Sequence, residues 1–204
     1  IDKGKYGLKP VYDGKLLVDV LSLSVWSMLH AFISVAPWFL FFVAVEHLGK
    51  TELAISNITR SVSAVFFVIV NSFAVTTGSL VSNAIGAGER RAVFIICRKI
   101  LRLGYSAGFP LIGVAVCYNR LIIGIYTDNE LLTEQAFIPF VVTLLNYTFA
   151  LPGYVYLNAV GGTGKTRITF LFQVTTTVVY LGYLYWLSAC THASLAIYLT
   201  AEYL

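Results

Sequence analysis

Long apolar segments are the feature that most constrains this 204-residue chain. Five of them are at least as long as the ~20 residues that a helix needs to cross a bilayer. Only 12% of the residues are charged, about half of the ~25% that a soluble domain carries. The pattern therefore predicts a membrane protein and excludes a soluble globular domain. The five complete segments cover residues 21–45, 53–85, 103–125, 135–160 and 168–189, and a sixth begins at residue 194.

Helices are predicted for all of these spans. Lipid offers no hydrogen-bond partner to the backbone, so only helices and closed barrels cross a membrane. Barrel strands have ~10 residues of alternating polarity, whereas these segments are continuously apolar and longer. Membrane helices tolerate internal proline, and all prolines but Pro10 lie within the segments. Gly104 and Gly108 form a small-xxx-small pair that predicts close approach of another helix.

The fold class predicted is all-α, a polytopic bundle of six spans. Residues 1–20 are predicted to be a polar linker that leads into the first span, and residues 21–204 a six-helix lobe. The last segment is about half as long as a span, and no methionine precedes Ile1. We therefore expect the sequence to be part of a longer protein with its sixth helix cut short.

Basic residues predict the orientation in the membrane. Eleven of the fourteen Lys and Arg residues lie in the linker, near residues 86–102 and in the turn at 161–167, and three lie in the opposite loops or adjoining helix ends. Cytoplasmic loops carry the excess of positive charge. The linker and the glycine-rich turns at 86–91 and 161–167 are therefore predicted to be cytoplasmic, in a cell (inner) membrane.

Few motifs point to chemistry. The segment 161–166 resembles a phosphate-binding loop, but that motif requires glycine at position 159, which is Ala159, and a preceding strand. A tight cytoplasmic turn is the preferred interpretation. Cys97, Cys117 and Cys190 have no ligand spacing for a metal. No catalytic set is found and the net charge of +4 is scattered, so neither an enzyme, a cofactor nor a nucleic-acid partner is predicted.

Polar residues within the spans are the candidates for function, because a charge at the centre of a span costs ~2.5–3.5 kcal/mol on insertion scales. Asn71, Asn146 and Gln173 either form hydrogen bonds between helices or line a cavity. His30 is either a neutral histidine bonded to another helix or a coupling group. Arg60 either extends outward to the interface or faces a cavity. The predicted substrate path comprises His30, Ser34, Arg60, Asn71, Asn146 and Gln173.

The order of these features resembles the C-terminal six-helix lobe of a multidrug and toxic compound extrusion (MATE) transporter. The resemblance rests on the segment LVSNAIGAGERRA at 80–92 and on NAVGGTGKT at 158–166. It implies a twelve-helix protein in which two six-helix lobes face each other across a cavity. Such proteins use sodium or proton gradients to expel amphipathic, often cationic, small molecules by alternating access. The N-terminal lobe would precede Ile1.

The resemblance also bears on ion coupling. Some members of the family carry an acidic residue within the seventh or tenth helix for cation binding, but the first and fourth spans here have no interior Asp or Glu. The sodium or proton site is therefore expected in the N-terminal lobe. Two alternatives remain open at this point, a lipid-linked oligosaccharide flippase of the same superfamily and a membrane scaffold subunit that transports nothing.

Overall fold

The chain folds as a bundle of long helices. Residues 13–190 and 194–203 are described in this computed structural model, so most of the predicted linker lies outside the described residues. Among the described residues there is no strand, which confirms the all-α prediction. The helices are α1 (Gly14–Glu46), α2 (Lys50–Gly86), α3 (Ala92–Cys117), α4 (Asn119–Gly124), α5 (Glu130–Leu145), α6 (Tyr147–Gly162), α7 (Thr166–Cys190) and α8 (Leu195–Leu199), with a 3-10 turn at Thr200–Tyr203.

Five helical segments are long and apolar enough to cross a membrane. They are α1, α2, α3, the consecutive pair α5 and α6 (Glu130–Gly162), and α7. The shortest, in α7, has 24 residues, which exceeds the ~20 needed for a span. The polytopic membrane fold is thus confirmed. The sixth predicted segment forms only the five-residue α8 and the four-residue 3-10 turn within the described part of the chain.

All five spanning helices begin earlier than the predicted segments, and α1 and α3 differ most. α1 starts at Gly14 rather than at residue 21, because the Asp13 carboxylate caps it by accepting hydrogen bonds from the N–H groups of Lys15 and Leu16 at 3.0 and 3.2 Å. α3 starts at Ala92 rather than at residue 103. Its first turns carry basic side chains, whose apolar stems lie along a helix while the charged groups reach water. The apolar segments therefore predict the membrane-spanning part of each helix, but not the residues at which the helix begins and ends.

The glycine-rich segment at 161–166 joins two helices and forms a tight turn. It runs from the last residues of α6 into the first residue of α7, so the strand that a phosphate-binding loop requires does not precede it. The Gly164 N–H donates to the carbonyl of Gly161 at 2.9 Å, and Gly164 has a φ of 81°. Glycine adopts that left-handed conformation without steric cost. The preferred interpretation as a turn is confirmed.

Helix α6 packs closely on α2. A Cβ atom on Gly162 would lie 2.4 Å from the carbonyl oxygen of Gly78, and one on Gly78 would lie 3.2 Å from the carbonyl oxygen of Asn158. These distances leave no room for larger side chains at the crossing. Small residues let membrane helices approach until their backbones touch, and this contact holds α6 in place beside the site described below.

The predicted close contact at Gly104 and Gly108 is confirmed, and the neighbour is α6. The ring of Tyr147 lies against Gly108, and its hydroxyl donates to the carbonyl of Gly104 at 2.7 Å. Tyr147 is 3% exposed. Because Gly104 and Gly108 have no Cβ atom, the surface of α3 leaves a recess there, and the ring of Tyr147 on α6 fills it.

A proline in α6 is accommodated by the same pair of helices. Pro152 has no N–H, so the carbonyl of Thr148 lacks its usual helical donor. The hydroxyl of Tyr105, on α3, donates to that carbonyl at 2.8 Å. A neighbouring helix thus satisfies the backbone group that the proline leaves free, as the physics of the lipid core requires.

Candidate functional site

An open cavity of about 490 Å³, which we call the main cavity, lies between the helices of the bundle. Its lining comes from α1, α2, the α5–α6 junction, α6, α7 and the 3-10 turn. Most of the wall is apolar or aromatic, and a few polar side chains are set into it. This composition is typical of small-molecule sites. The aromatic residues of the wall are Trp38, Phe67, Phe149, Tyr154, Tyr156, Phe172 and Tyr180.

Four of the six predicted path residues line the main cavity together. Ser34 comes from α1, Arg60 from α2, Asn146 from the α5–α6 junction and Gln173 from α7. Asn71 is exposed and lies outside the lining of this cavity. These four side chains come from different parts of the chain and are brought together by the fold.

Asn146 stands where the fourth span is interrupted. It separates α5 from α6, and its carbonyl accepts the N–H groups of Phe149 and Ala150 at 3.0 and 2.8 Å. Its side-chain Oδ1 is buried without a hydrogen-bond partner among the described residues. The predicted bond between helices is thus not made by this atom, which leaves an acceptor on a residue of the cavity wall. Interrupted helices commonly form the binding sites of transporters.

Gln173 makes its hydrogen bond within α7 rather than to another helix. Its Nε2 donates to Oγ1 of Thr177 at 3.5 Å, and both residues line the main cavity. The side chain is therefore held at the wall by its own helix.

Arg60 is buried and does not extend to the interface. It is 4% exposed. Its Cζ atom lies 4.6 Å from the ring centroid of Trp38, 4.0 Å from that of Phe41 and 5.0 Å from that of Phe42. Its Nη2 donates to Oε1 of Glu202 in the 3-10 turn. The outward alternative for Arg60 is wrong, and the guanidinium belongs to the wall of the main cavity.

A family model described as MatE matches residues 27–186. The chain belongs to the MatE family. This confirms the resemblance drawn from the two glycine-containing segments, and it makes the protein a multi-pass membrane transporter of an efflux family rather than a member of an enzyme family. Lipid and small-molecule substrates are accordingly its partners. No curated protein and no solved structure matches the chain.

Sequence reasoning missed one charged residue of the cavity wall in this MatE chain, Glu202. It lies beyond the matched segment and beyond the last complete apolar segment. A signal was present, because Glu202 is the only charged residue of the final segment at 194–204, and a charge buried in a bundle requires a partner. Arg60 was the one arginine that the sequence offered as a candidate for a cavity, so a possible partner was visible, but the contact itself was not.

His30 lines a second, smaller cavity in the MatE chain, of about 230 Å³. Its Nε2 atom is buried without a hydrogen-bond partner within residues 13–190 and 194–203, so this nitrogen does not make the predicted bond to another helix. The Ser27 hydroxyl donates to the carbonyl of Leu23 in α1, and the Thr169 hydroxyl donates to that of Lys165 just before α7. Both residues line the same cavity. Leu157 belongs to the linings of both cavities, which therefore meet at one side chain.

Proposed function

We propose that the chain is one lobe of a MATE-type secondary active transporter. It exports amphipathic small molecules, including cationic ones, in exchange for sodium or protons by alternating access. The observation that carries this proposal is the main cavity. Its volume of about 490 Å³ falls in the ~300–1,000 Å³ range of cavities that bind drug-sized ligands. A six-helix N-terminal lobe would complete the transporter across this face.

Four residues would contact the substrate along its path, namely Ser34, Asn146, Gln173 and Arg60. His30 would lie at the cytoplasmic approach, because the smaller cavity that it lines reaches Gly161 and Thr166 beside the glycine-rich turn. The positive-inside rule predicts that this turn is cytoplasmic. Substrate would then enter from the inner side of the cell membrane and pass Leu157 into the main cavity.

The coupling ion would bind mainly in the N-terminal lobe. Among the described residues that line the main cavity, Glu202 is the only acid, and Arg60 already pairs with it. A sodium ion prefers several oxygen ligands without a competing fixed cation beside them. The same pairing disfavours the flippase alternative, since a pyrophosphate-linked cargo is held best by several unpaired cations.

Transport driven by an ion gradient tests the proposal. The full-length protein would be reconstituted into proteoliposomes, and the accumulation of a fluorescent amphipathic dye would be followed under an imposed sodium or pH gradient. We expect accumulation with one of the gradients and its loss when an ionophore collapses that gradient. Accumulation that persists without a gradient and follows added ATP would refute the proposal.

Asn146→Leu and Asn71→Leu form a matched pair that tests the path. The first removes an acceptor from the lining of the main cavity, whereas the second changes a residue outside that lining. We expect Asn146→Leu to change the transport rate or the substrate range at unchanged expression, and Asn71→Leu to have the smaller effect. Equal effects would show that the path is not confined to the main cavity. A fall in protein yield alone would make both residues packing groups.

A further inference from the structure

The main cavity contains two opposite charges that cancel. Among the described residues that line it, Arg60 and Glu202 are the only ones that are formally charged. The other polar groups are neutral amides and hydroxyls such as Asn146 and Gln173. The lining therefore has no net charge, although one carboxylate is present that a cationic ligand would seek.

The surroundings of the Arg60 guanidinium resemble a binding site for an organic cation. Three aromatic rings of α1 surround this guanidinium, with centroids 4.0 to 5.0 Å from Cζ. The Glu202 carboxylate accepts a hydrogen bond from Nη2 of Arg60. Aromatic faces together with a carboxylate form the usual recognition site for an organic ammonium or guanidinium group. The side chain of Arg60 thus occupies a position whose chemistry suits an external organic cation.

The pairing of Arg60 with Glu202 is incomplete. Arginine can bind a carboxylate through two parallel hydrogen bonds, but here one nitrogen, Nη2, bonds one oxygen. The Nε and Nη1 atoms of Arg60 are buried and make no hydrogen bond of good geometry among the described residues, although the Tyr180 hydroxyl lies near the guanidinium. Two nitrogens of the guanidinium therefore make no good hydrogen bond in this position. A competing cation thus does not have to break a complete set of hydrogen bonds between Arg60 and its surroundings.

We propose that Arg60 is an internal competitor for Glu202 and thereby sets the charge selectivity of the main cavity. An uncharged amphipathic molecule binds beside the intact pair. An organic cation with an aromatic body binds by displacing the guanidinium from the Glu202 carboxylate. Arg60 and Glu202 are then specificity-determining residues, and this inference rests on the proposed function, since it assumes that the main cavity receives the substrate.

Equilibrium binding of three dyes of different charge tests the inference. The full-length protein in lipid nanodiscs would be titrated with rhodamine 6G as the cation, Nile red as the neutral dye and fluorescein as the anion, with fluorescence anisotropy as the readout. For Glu202→Gln, which leaves Arg60 unpaired, we expect rhodamine 6G to bind about tenfold more weakly and fluorescein more tightly. A unit charge a few ångströms away in a partly dry cavity is worth at least about that factor. Nile red should change by less than about twofold.

Arg60→Gln and the double variant complete the charge series. Arg60→Gln leaves the Glu202 carboxylate without its guanidinium partner, so the titration would be done at pH 8.5 to favour the ionised form. There this variant should bind rhodamine 6G about tenfold more tightly than the wild type does. The double variant Arg60→Gln/Glu202→Gln, which has no charge at either position, should fall between the two single variants for both charged dyes. Melting temperatures of all variants would be measured in parallel.

The outcomes separate charge selectivity from a structural role. An equal loss of affinity for all three dyes, or unchanged affinities for all of them, would overturn the inference. Because binding is measured without an ion gradient, a charge-dependent change of affinity supports the inference even if gradient-driven transport fails. Conversely, transport that depends on a gradient with no charge-dependent change would leave the proposed function standing and refute this inference alone.

Discussion

Replacing Gly108 by alanine tests whether the contact between α3 and α6 is as close as the structure shows. The added Cβ would lie 2.2 Å from Cε1 and 2.3 Å from Cζ of Tyr147, a buried ring whose hydroxyl bonds the carbonyl of Gly104. The ring has to move, and its hydroxyl then loses its acceptor. Overpacking of this kind costs about 1–3 kcal/mol, and the hydrogen bond contributes about 0.5–1.5 kcal/mol more. We expect the free energy of unfolding to fall by about 1.5–4.5 kcal/mol.

Unfolding by titration with a denaturing detergent, followed by tryptophan fluorescence, would measure this change. Gly113→Ala is the matched control, since it lies on the same helix and a Cβ there meets nothing within 4 Å; it should be neutral or slightly stabilising. In a Tyr147→Leu background the cost of Gly108→Ala should drop below about 1 kcal/mol, because the obstructing ring is gone. Equal effects of the two glycine substitutions would refute the account of the contact.

Two further predictions concern α6. Gly162→Ala places a Cβ 2.4 Å from a backbone oxygen of α2, whereas Gly161→Ala meets nothing closer than 3.8 Å, so the first should lower the melting temperature clearly and the second should not. Tyr105→Phe removes the donor to the carbonyl of Thr148 and should cost about 1–3 kcal/mol of unfolding free energy. Adding Pro152→Ala should recover part of that loss by supplying the missing N–H; no recovery would contradict the role assigned to Tyr105.

The spans could be predicted from sequence because crossing a bilayer is a local requirement on length and apolarity. The ends of the helices could not, since they depend on caps such as Asp13. Basic residues on the first turns of α3 also look like a loop when only hydropathy is considered. The close contact at Gly104 and Gly108 was predictable as a contact, but its partner, Tyr147, was not, because small residues permit the approach of any helix.

Helical periodicity predicts the face of a helix on which a polar residue lies. It does not predict the position along the helix axis at which a cavity meets that face. Asn71 follows Arg60 by eleven residues, which is about three turns, so both lie on nearly the same face of α2. The same count separates them by about 16 Å along the helix axis. The main cavity reaches Arg60 and does not reach Asn71. Which level of a helical face meets a cavity is decided by the neighbouring helices, and a single span carries no information about them.

The ion pair that neutralises the main cavity is a contact of the tertiary structure alone. Arg60 and Glu202 are separated by 142 positions in the chain, and no spacing rule connects them. Arg60 lies inside the segment that matches the MatE family model, whereas Glu202 lies after it. The family match therefore accounts for the bundle and for most of the cavity wall, but not for the carboxylate that balances its one cation. It follows that the charge of the cavity, and with it the selectivity proposed above, has to be established on this chain and cannot be taken over from the family.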